Sequence, residues 1–167
     1  RSAVLLRCYR VAASDFIGTE DDWEYDFDLD YAPTAVMLAG FHFMGRLDWL
    51  PTLQAAVWTS EDRLMVANAI FENVLRVVAA YRLLEGGGVL LHSAAVADDG
   101  GADVFFGPSG AGKSTISRLG HAIGRAVLSD DMNALRVTPD GVMVEHLPFA
   151  GDFGHGRTAT AGSYPVR

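Results

Sequence analysis

The spacing of hydrophobic and polar residues changes character near residue 59. Upstream of it the texture is that of strands. Ser2 to Val11 is apolar and rich in β-formers, and predicts a first strand. From Asp15 to Asp30 the chain is strongly acidic, yet Trp23, Tyr25, Phe27 and Leu29 alternate with Glu24, Asp26 and Asp28. A period of two gathers the apolar set on one face, so this stretch predicts a half-buried strand whose acidic outer face suits a sheet edge. Ala35 to Phe43 reads as another strand, and Leu50 to Val57 as a short helix.

Beyond residue 59 a helical period takes over. Thr59 or Ser60 can cap a helix with Glu61 and Asp62 in its first turn. Leu64, Ala67, Ile70, Phe71, Val74, Val77, Val78 and Tyr81 then recur at helical spacing until Gly86, Gly87 and Gly88 end the run. Val89 to Ala97 and Ala102 to Phe106 predict two strands joined by the turn Asp98–Gly101, an antiparallel hairpin. A helix follows from Lys113 to about Ile123, with Gly124 at its end. Three further strands are expected: Ala126 to Leu128, Asn133 to Val137 and, after the turn Pro139–Gly141, Val142 to Leu147.

Half of the 167 residues are hydrophobic, enough for a folded domain with a core, or a domain with a small lobe. Thirteen basic against 21 acidic residues leave a net charge of −8, which repels a phosphate backbone and argues against nucleic acid as a partner. Cys8 is the only cysteine, so no internal disulfide can form; a reducing cytoplasm fits, with Cys8 expected as a buried structural thiol. No run approaches the roughly 20 apolar residues needed to cross a bilayer, so no membrane association is expected. The segment Ala161 to Arg167 reads as stopping within an element, and a C-terminally incomplete core is expected.

The most specific string is Gly107-Pro108-Ser109-Gly110-Ala111-Gly112-Lys113-Ser114, which satisfies the pattern G-x-x-x-x-G-K-[ST] between an apolar strand and a helix. Glycines at 110 and 112 let successive backbone N–H groups turn toward phosphate oxygens, and the helix start adds its positive end. Lys113 then supplies charge to the β- and γ-phosphates, Ser114 offers a hydroxyl to Mg²⁺, and Thr115 supports the first turn. The expected ligand is ATP with Mg²⁺. Asp130 and Asp131 follow the short strand 126–128, where a neighbouring strand's C-terminal end faces the phosphates. One carboxylate can hold the metal while the other takes a proton from an attacking hydroxyl. His92 sits on the hairpin strand whose partner leads into the loop. It is either a hydrogen-bonded core residue or a member of the site.

Leu91-His92-Ser-Ala-Ala-Val, then Gly107–Ser114, then Leu128-Ser-Asp-Asp131 resembles the catalytic core of the HPr serine kinase/phosphorylase family, which is related to the phosphoenolpyruvate carboxykinases. The resemblance covers about Val89 to Phe153. It implies that Asp130 is the catalytic carboxylate, that His92 assists it, that Asp131 is the metal-side acid, and that Lys113 contacts the transferred phosphate. Thr115 stands where that family usually carries an acidic residue, and the first 85 residues do not resemble its regulatory domain. The implied member therefore acts on a substrate other than HPr. The expected fold is α/β, with a mixed sheet around a strand–loop–helix core of the type the resemblance implies (residues 59–167), and the strand texture upstream adds a β-rich N-terminal lobe (residues 1–58). The activity expected is ATP-dependent phosphorylation of a serine-type hydroxyl on a protein or peptide. A nucleotide-binding regulatory module without phosphotransfer and a nonfunctional remnant stay open, as does a homo-oligomeric state. Leu147–Gly154 can bind substrate or be a plain turn, Arg157 can meet phosphate or stand solvated, and His42, His121, His146 and His155 lack metal-ligand spacing.

Overall fold

The computed structural model describes residues 4–15, 27–40, 42–62, 64–149, 151 and 162–167. The chain divides into two compact units, Arg1–Tyr81 and Arg82–Arg167. The fold is mixed α/β and mostly strand, with two sheets and two helices among the described residues.

The first unit holds strands β1 (Leu5–Arg10), β2 (Phe27–Ala32), β3 (Ala35–Gly40), β4 (Phe43–Asp48) and β5 (Gln54–Thr59), in the spatial order β1-β5-β4-β3-β2. β1 pairs with β5 in parallel and the other pairs are antiparallel. One face carries Val36, Leu38, Phe43, Leu47, Ala55 and Val57, all buried. They cluster with Val66, Ile70, Val74 and Val78, the apolar stripe of helix α1 (Leu64–Glu85). Each Val, Leu, Ile or Phe side chain here removed from water contributes on the order of 1.5–3 kcal/mol before entropy is charged against it.

Three expectations fail in this unit. Cys8, expected as a buried thiol, is exposed on β1. Residues 54–57 form β5, not a helix. Burial alternates along Gln54–Thr59 with a strand's period, and the segment is clamped between β1 and β4. The acidic stretch reaches a sheet edge, as expected: its residues 27–30 open the edge strand β2, where Asp28, Leu29 and Asp30 are exposed, while Trp23, Glu24, Tyr25 and Asp26 fall outside the described residues. The helix also starts later than expected. Thr59 closes β5, and its hydroxyl accepts a hydrogen bond from the Glu61 N–H at 3.0 Å within the connector. The compact units meet at Tyr81/Arg82, so most of α1 belongs with the first sheet.

The second unit contains the strands β6 (Gly88–Asp98), β7 (Gly101–Phe106), β8 (Ala126–Ser129), β9 (Met132–Thr138), β10 (Gly141–Glu145) and β11 (Ser163–Pro165), with helix α2 (Lys113–Ala122). The sheet order is β11-β10-β9-β6-β7, with β8 also paired to β6. β6 is the organising strand. Its second half pairs antiparallel with β7 on one side and β8 on the other, and its first half pairs antiparallel with β9. β7 and β8 therefore run parallel to each other with β6 between them, and α2 is the crossover.

The core here is built from small residues: Ala95, Ala97 and Ala102 with Leu128 and Val144. Helix α2 packs on the other face of β6, against Val96. A Cβ on Gly120 would sit 2.9 Å from Val96 Cγ1, so α2 presents bare backbone to β6 at that point. The helix ends as expected: Gly124 has φ 84°, and the N–H groups of Gly124 and Arg125 donate to the carbonyls of His121 and Gly120, each at 2.9 Å. Among the described residues no helix is long and apolar enough to cross a membrane.

Candidate phosphate-loop site

Topology brings the chemical residues together. Because β7 and β8 are parallel, their C-terminal ends lie at the same end of the sheet, the usual place for a ligand in such an arrangement. β7 ends at Phe106, opposite Ser93, and runs into the glycine loop; β8 ends at Ser129, opposite Ala95, and runs into Asp130 and Asp131. Between these exits lies β6, carrying His92 opposite Met132. The sequence placed Asp130 and Asp131 at the end of a neighbouring strand. In the structure that strand is one place further along, with the antiparallel β6 intervening.

A cavity of about 440 Å³ opens at this end of the sheet. His92, Ser109, Gly110, Gly112, Lys113, Ser114, Thr115, Asp130, Asp131 and Gly151 line it. That volume lies within the range of small-molecule sites. All the charge-bearing residues expected from the sequence, Lys113, Asp130, Asp131 and His92, face one space, whereas Gly107, Pro108 and Ala111 shape the loop behind it.

The loop holds itself. Gly110 (φ 79°) and Gly112 (φ 93°) occupy the left-handed region, which a side chain would strain. At Gly107 a Cβ would stand 2.9 Å from that of Ala111, so glycine there lets the loop close on itself. Ala111 N–H donates to Pro108 O at 3.2 Å, and the Lys113 ammonium donates back to the carbonyls of Gly107 (3.0 Å) and Pro108 (3.2 Å). Lys113 is buried apart from its surface at the cavity. No side chain caps α2, whose N-cap is Gly112. The first-turn N–H groups that a helix leaves without intrahelical partners thus belong to the cavity's end of the helix.

The acidic side is assembled differently. Asp130 is buried and Asp131 nearly so, while His92 is 56 % exposed on its side chain, with Nε2 3.8 Å from Asp131 Oδ1. The sequence reading aimed this ring at Asp130; the contact observed is with Asp131, which lies one residue from Met132, the register partner of His92. Ser129 and Gly151 fall inside the segments Leu128–Asp131 and Leu147–Gly154, but neither carries a signal of its own in the sequence. The Ser129 hydroxyl donates to Phe149 O (3.1 Å) and accepts from the N–H groups of Asp131 (3.1 Å) and Met132 (3.2 Å). A Cβ at position 151 would stand 2.6 Å from Asp130 Oδ1 and 3.0 Å from Asp131 Cβ, so the backbone at Gly151 lies directly against the acidic pair. Of the glycine-rich segment 147–154, residues 147–149 and 151 are described; Phe153, His155 and Arg157 lie outside the described residues.

No family model, curated protein or solved structure matches this chain.

Proposed function

We propose that the chain is an ATP-dependent phosphotransferase that moves the γ-phosphoryl group to a serine-type hydroxyl of a protein or peptide. One observation carries this reading: the glycine loop with Lys113, the acidic pair and His92, three features separated in sequence, line a single cavity of nucleotide-compatible size. The motif resemblance to HPr serine kinases described above points the same way.

Backbone N–H groups of the loop and of the start of α2 would take the phosphate oxygens. Lys113 would exchange loop carbonyls for phosphate and offset its charge. Among the described residues no group of three or more His, Cys, Asp or Glu could hold a metal by itself. This donor set suits Mg²⁺, which is commonly held by one or two protein oxygens together with substrate phosphates and water. Ser114 and Asp131 would hold it, and when bound it supplies positive charge to the β- and γ-phosphates. Asp130 acts as the base: the acceptor oxygen forms a bond to the γ-phosphorus, the bond from that phosphorus to the β-bridging oxygen breaks, ADP leaves, and the hydroxyl proton passes to the Asp130 carboxylate. His92, beside Asp131 at the open side of the cavity, would help hold that carboxylate in place.

Incubation with γ-labelled ATP, Mg²⁺ and a library of serine-containing peptides tests this directly. Wild type is expected to place label on serine. Asp130→Asn should lose transfer by roughly 10² or more while still binding Mg²⁺–ATP. Equal transfer by the two proteins would remove Asp130 from the chemistry, and tight binding without transfer to any acceptor would favour a nucleotide-dependent regulatory module.

A further inference from the structure

β8 and β9 are nearly one strand. The pairs Ala95–Ser129 and His92–Met132 keep a common register against β6, so Ala94 and Ser93 stand opposite Asp130 and Asp131, where the ladder is interrupted. One extra residue near Leu128 shifts the register just before the break, between Ala95 and Val96. In a regular antiparallel pair, Ser93 and Asp131 would exchange two backbone hydrogen bonds. Half of that exchange is present, as the Ser93 N–H donates to Asp131 O at 2.9 Å.

Side chains take up the other half. The Asp131 N–H donates to the Ser129 hydroxyl at 3.1 Å. Ser93 O accepts from the Asn133 side-chain amide at 2.7 Å, and the same amide reaches Ser93 Oγ at 3.0 Å. Asn133 and Ser93 are fully buried, so these are bonds made out of water, where leaving either group without a partner is expensive. The Ser129 hydroxyl is used to capacity: two accepted bonds on its lone pairs, and its single proton given to Phe149 O. That last bond draws in the segment whose Gly151 backs Asp130.

The geometry points to Ser129 and Asn133 as the positioning residues of the acidic pair. They replace the two halves of a missing ladder bond, and so hold Asp130 and Asp131 out of the sheet and toward the cavity. Neither side chain lines that cavity. Their action is on the backbone that carries the two carboxylates, and this inference rests on the proposed phosphotransferase reading for its functional consequence.

The test has one arm that needs no ligand and one that does. Amide hydrogen exchange on the whole chain is compared for wild type, Ser129→Ala and Asn133→Asp, the last being isosteric but unable to donate from that position. In Ser129→Ala, exchange at the Asp131 and Met132 amides should quicken by roughly tenfold or more while the β6–β7 hairpin keeps its protection. Unchanged exchange at those two amides would overturn the inference whatever the protein binds. Should Asn133→Asp fail to fold, Ser129→Ala decides alone. In the second arm, calorimetry with ATP in the absence of Mg²⁺ should give near-equal affinity for wild type and Ser129→Ala. The gain in affinity on adding Mg²⁺ should shrink roughly tenfold in the variant, and labelled-phosphate transfer should fall through kcat with little change in KM for ATP. Loss of metal-free ATP binding in step with the rest would show a general structural role and sink the positioning role. A wild type that binds no ATP at all would instead sink the phosphotransferase reading, and the exchange arm would still judge the backbone claim.

Discussion

The cavity has two sides that leave the same end of the sheet and are built on opposite principles. On the loop side, from Gly107 to Ser114, nearly every stabilising contact is local: left-handed glycines, the Ala111 N–H on Pro108 O, and Lys113 on the carbonyls of Gly107 and Pro108. On the acidic side the local bonds from the Asp131 and Met132 N–H groups to Ser129 are joined by contacts from afar: Ser93 of β6 meets Asp131 and the Asn133 amide, and Phe149 meets Ser129. A local device is damaged by local strain and a distributed one by the loss of any distant partner. Substitutions on the two sides should therefore separate nucleotide binding from phosphate transfer.

The largest separation after Asp130→Asn is expected at Gly151. An alanine there would drive its methyl to 2.6 Å from Asp130 Oδ1, closer than such contacts allow, so the carboxylate or the segment must shift. Gly151→Ala should lower transfer by about tenfold, equivalent to about 1.4 kcal/mol of barrier, and leave calorimetric ATP affinity within twofold. If affinity falls as much as transfer, the two sides are not separable.

Gly112→Ala probes the loop side. A Cβ there meets nothing within 4 Å, so the cost is confined to a φ of 93°. Unfolding stability by denaturant titration should drop by about 1 kcal/mol, with ATP affinity reduced and the Asp131 and Met132 amides exchanging as in wild type. Altered exchange at those amides would mean that the loop and the acidic turn are coupled.

The smallest effect belongs to the opposite end of β6, far from the cavity in register. There Arg125 and Arg167 bridge Asp98 and Asp103. The Asp103 carboxyl is held below its usual range chiefly by the hydrogen bond from Arg125, and that of Asp98 chiefly by the Gly100 N–H and then Arg167. With the folded values lowered, the unfolded chain takes up protons first as pH falls. Their stabilisation is thus complete above the ordinary Asp value of about 4 and is lost on acidification through the lowered folded values. Arg125→Leu should flatten that acid-side slope in thermal melts and leave neutral-pH nucleotide affinity alone, and its effect should shrink in high salt. An acid-side slope identical to wild type would remove the network from the account.

The same contrast explains what could be read from the sequence. The loop, the hairpin ahead of it and α2 were legible because their signals are local: glycines at fixed offsets, period-two runs around a tight turn, and Gly124 at the helix end. The acidic pair was legible as a motif, but not the roles of Ser129, Asn133 and Gly151, since each meets a group far along the chain: Phe149, Ser93 and Asp130 respectively. His92 was placed correctly at the hairpin, yet its contact is with Asp131, because strand register fixes which carboxylate stands beside it. In the first unit, Gln54–Thr59 misled because a short apolar run has no period of its own; pairing on both sides made it a strand. The edge position of β2 was legible from its run of acidic residues, which a buried strand would not carry.

Binding of Mg²⁺–ATP to wild type and Lys113→Ala, by isothermal titration calorimetry on proteins with matched thermal melts, tests most directly whether this cavity is a nucleotide site. On the proposed reading, wild type shows one site per chain and the variant binds at least about tenfold more weakly, because the ammonium that now rests on the Gly107 and Pro108 carbonyls would move to phosphate. Equal affinity in the two proteins, or no binding by wild type, would contradict it.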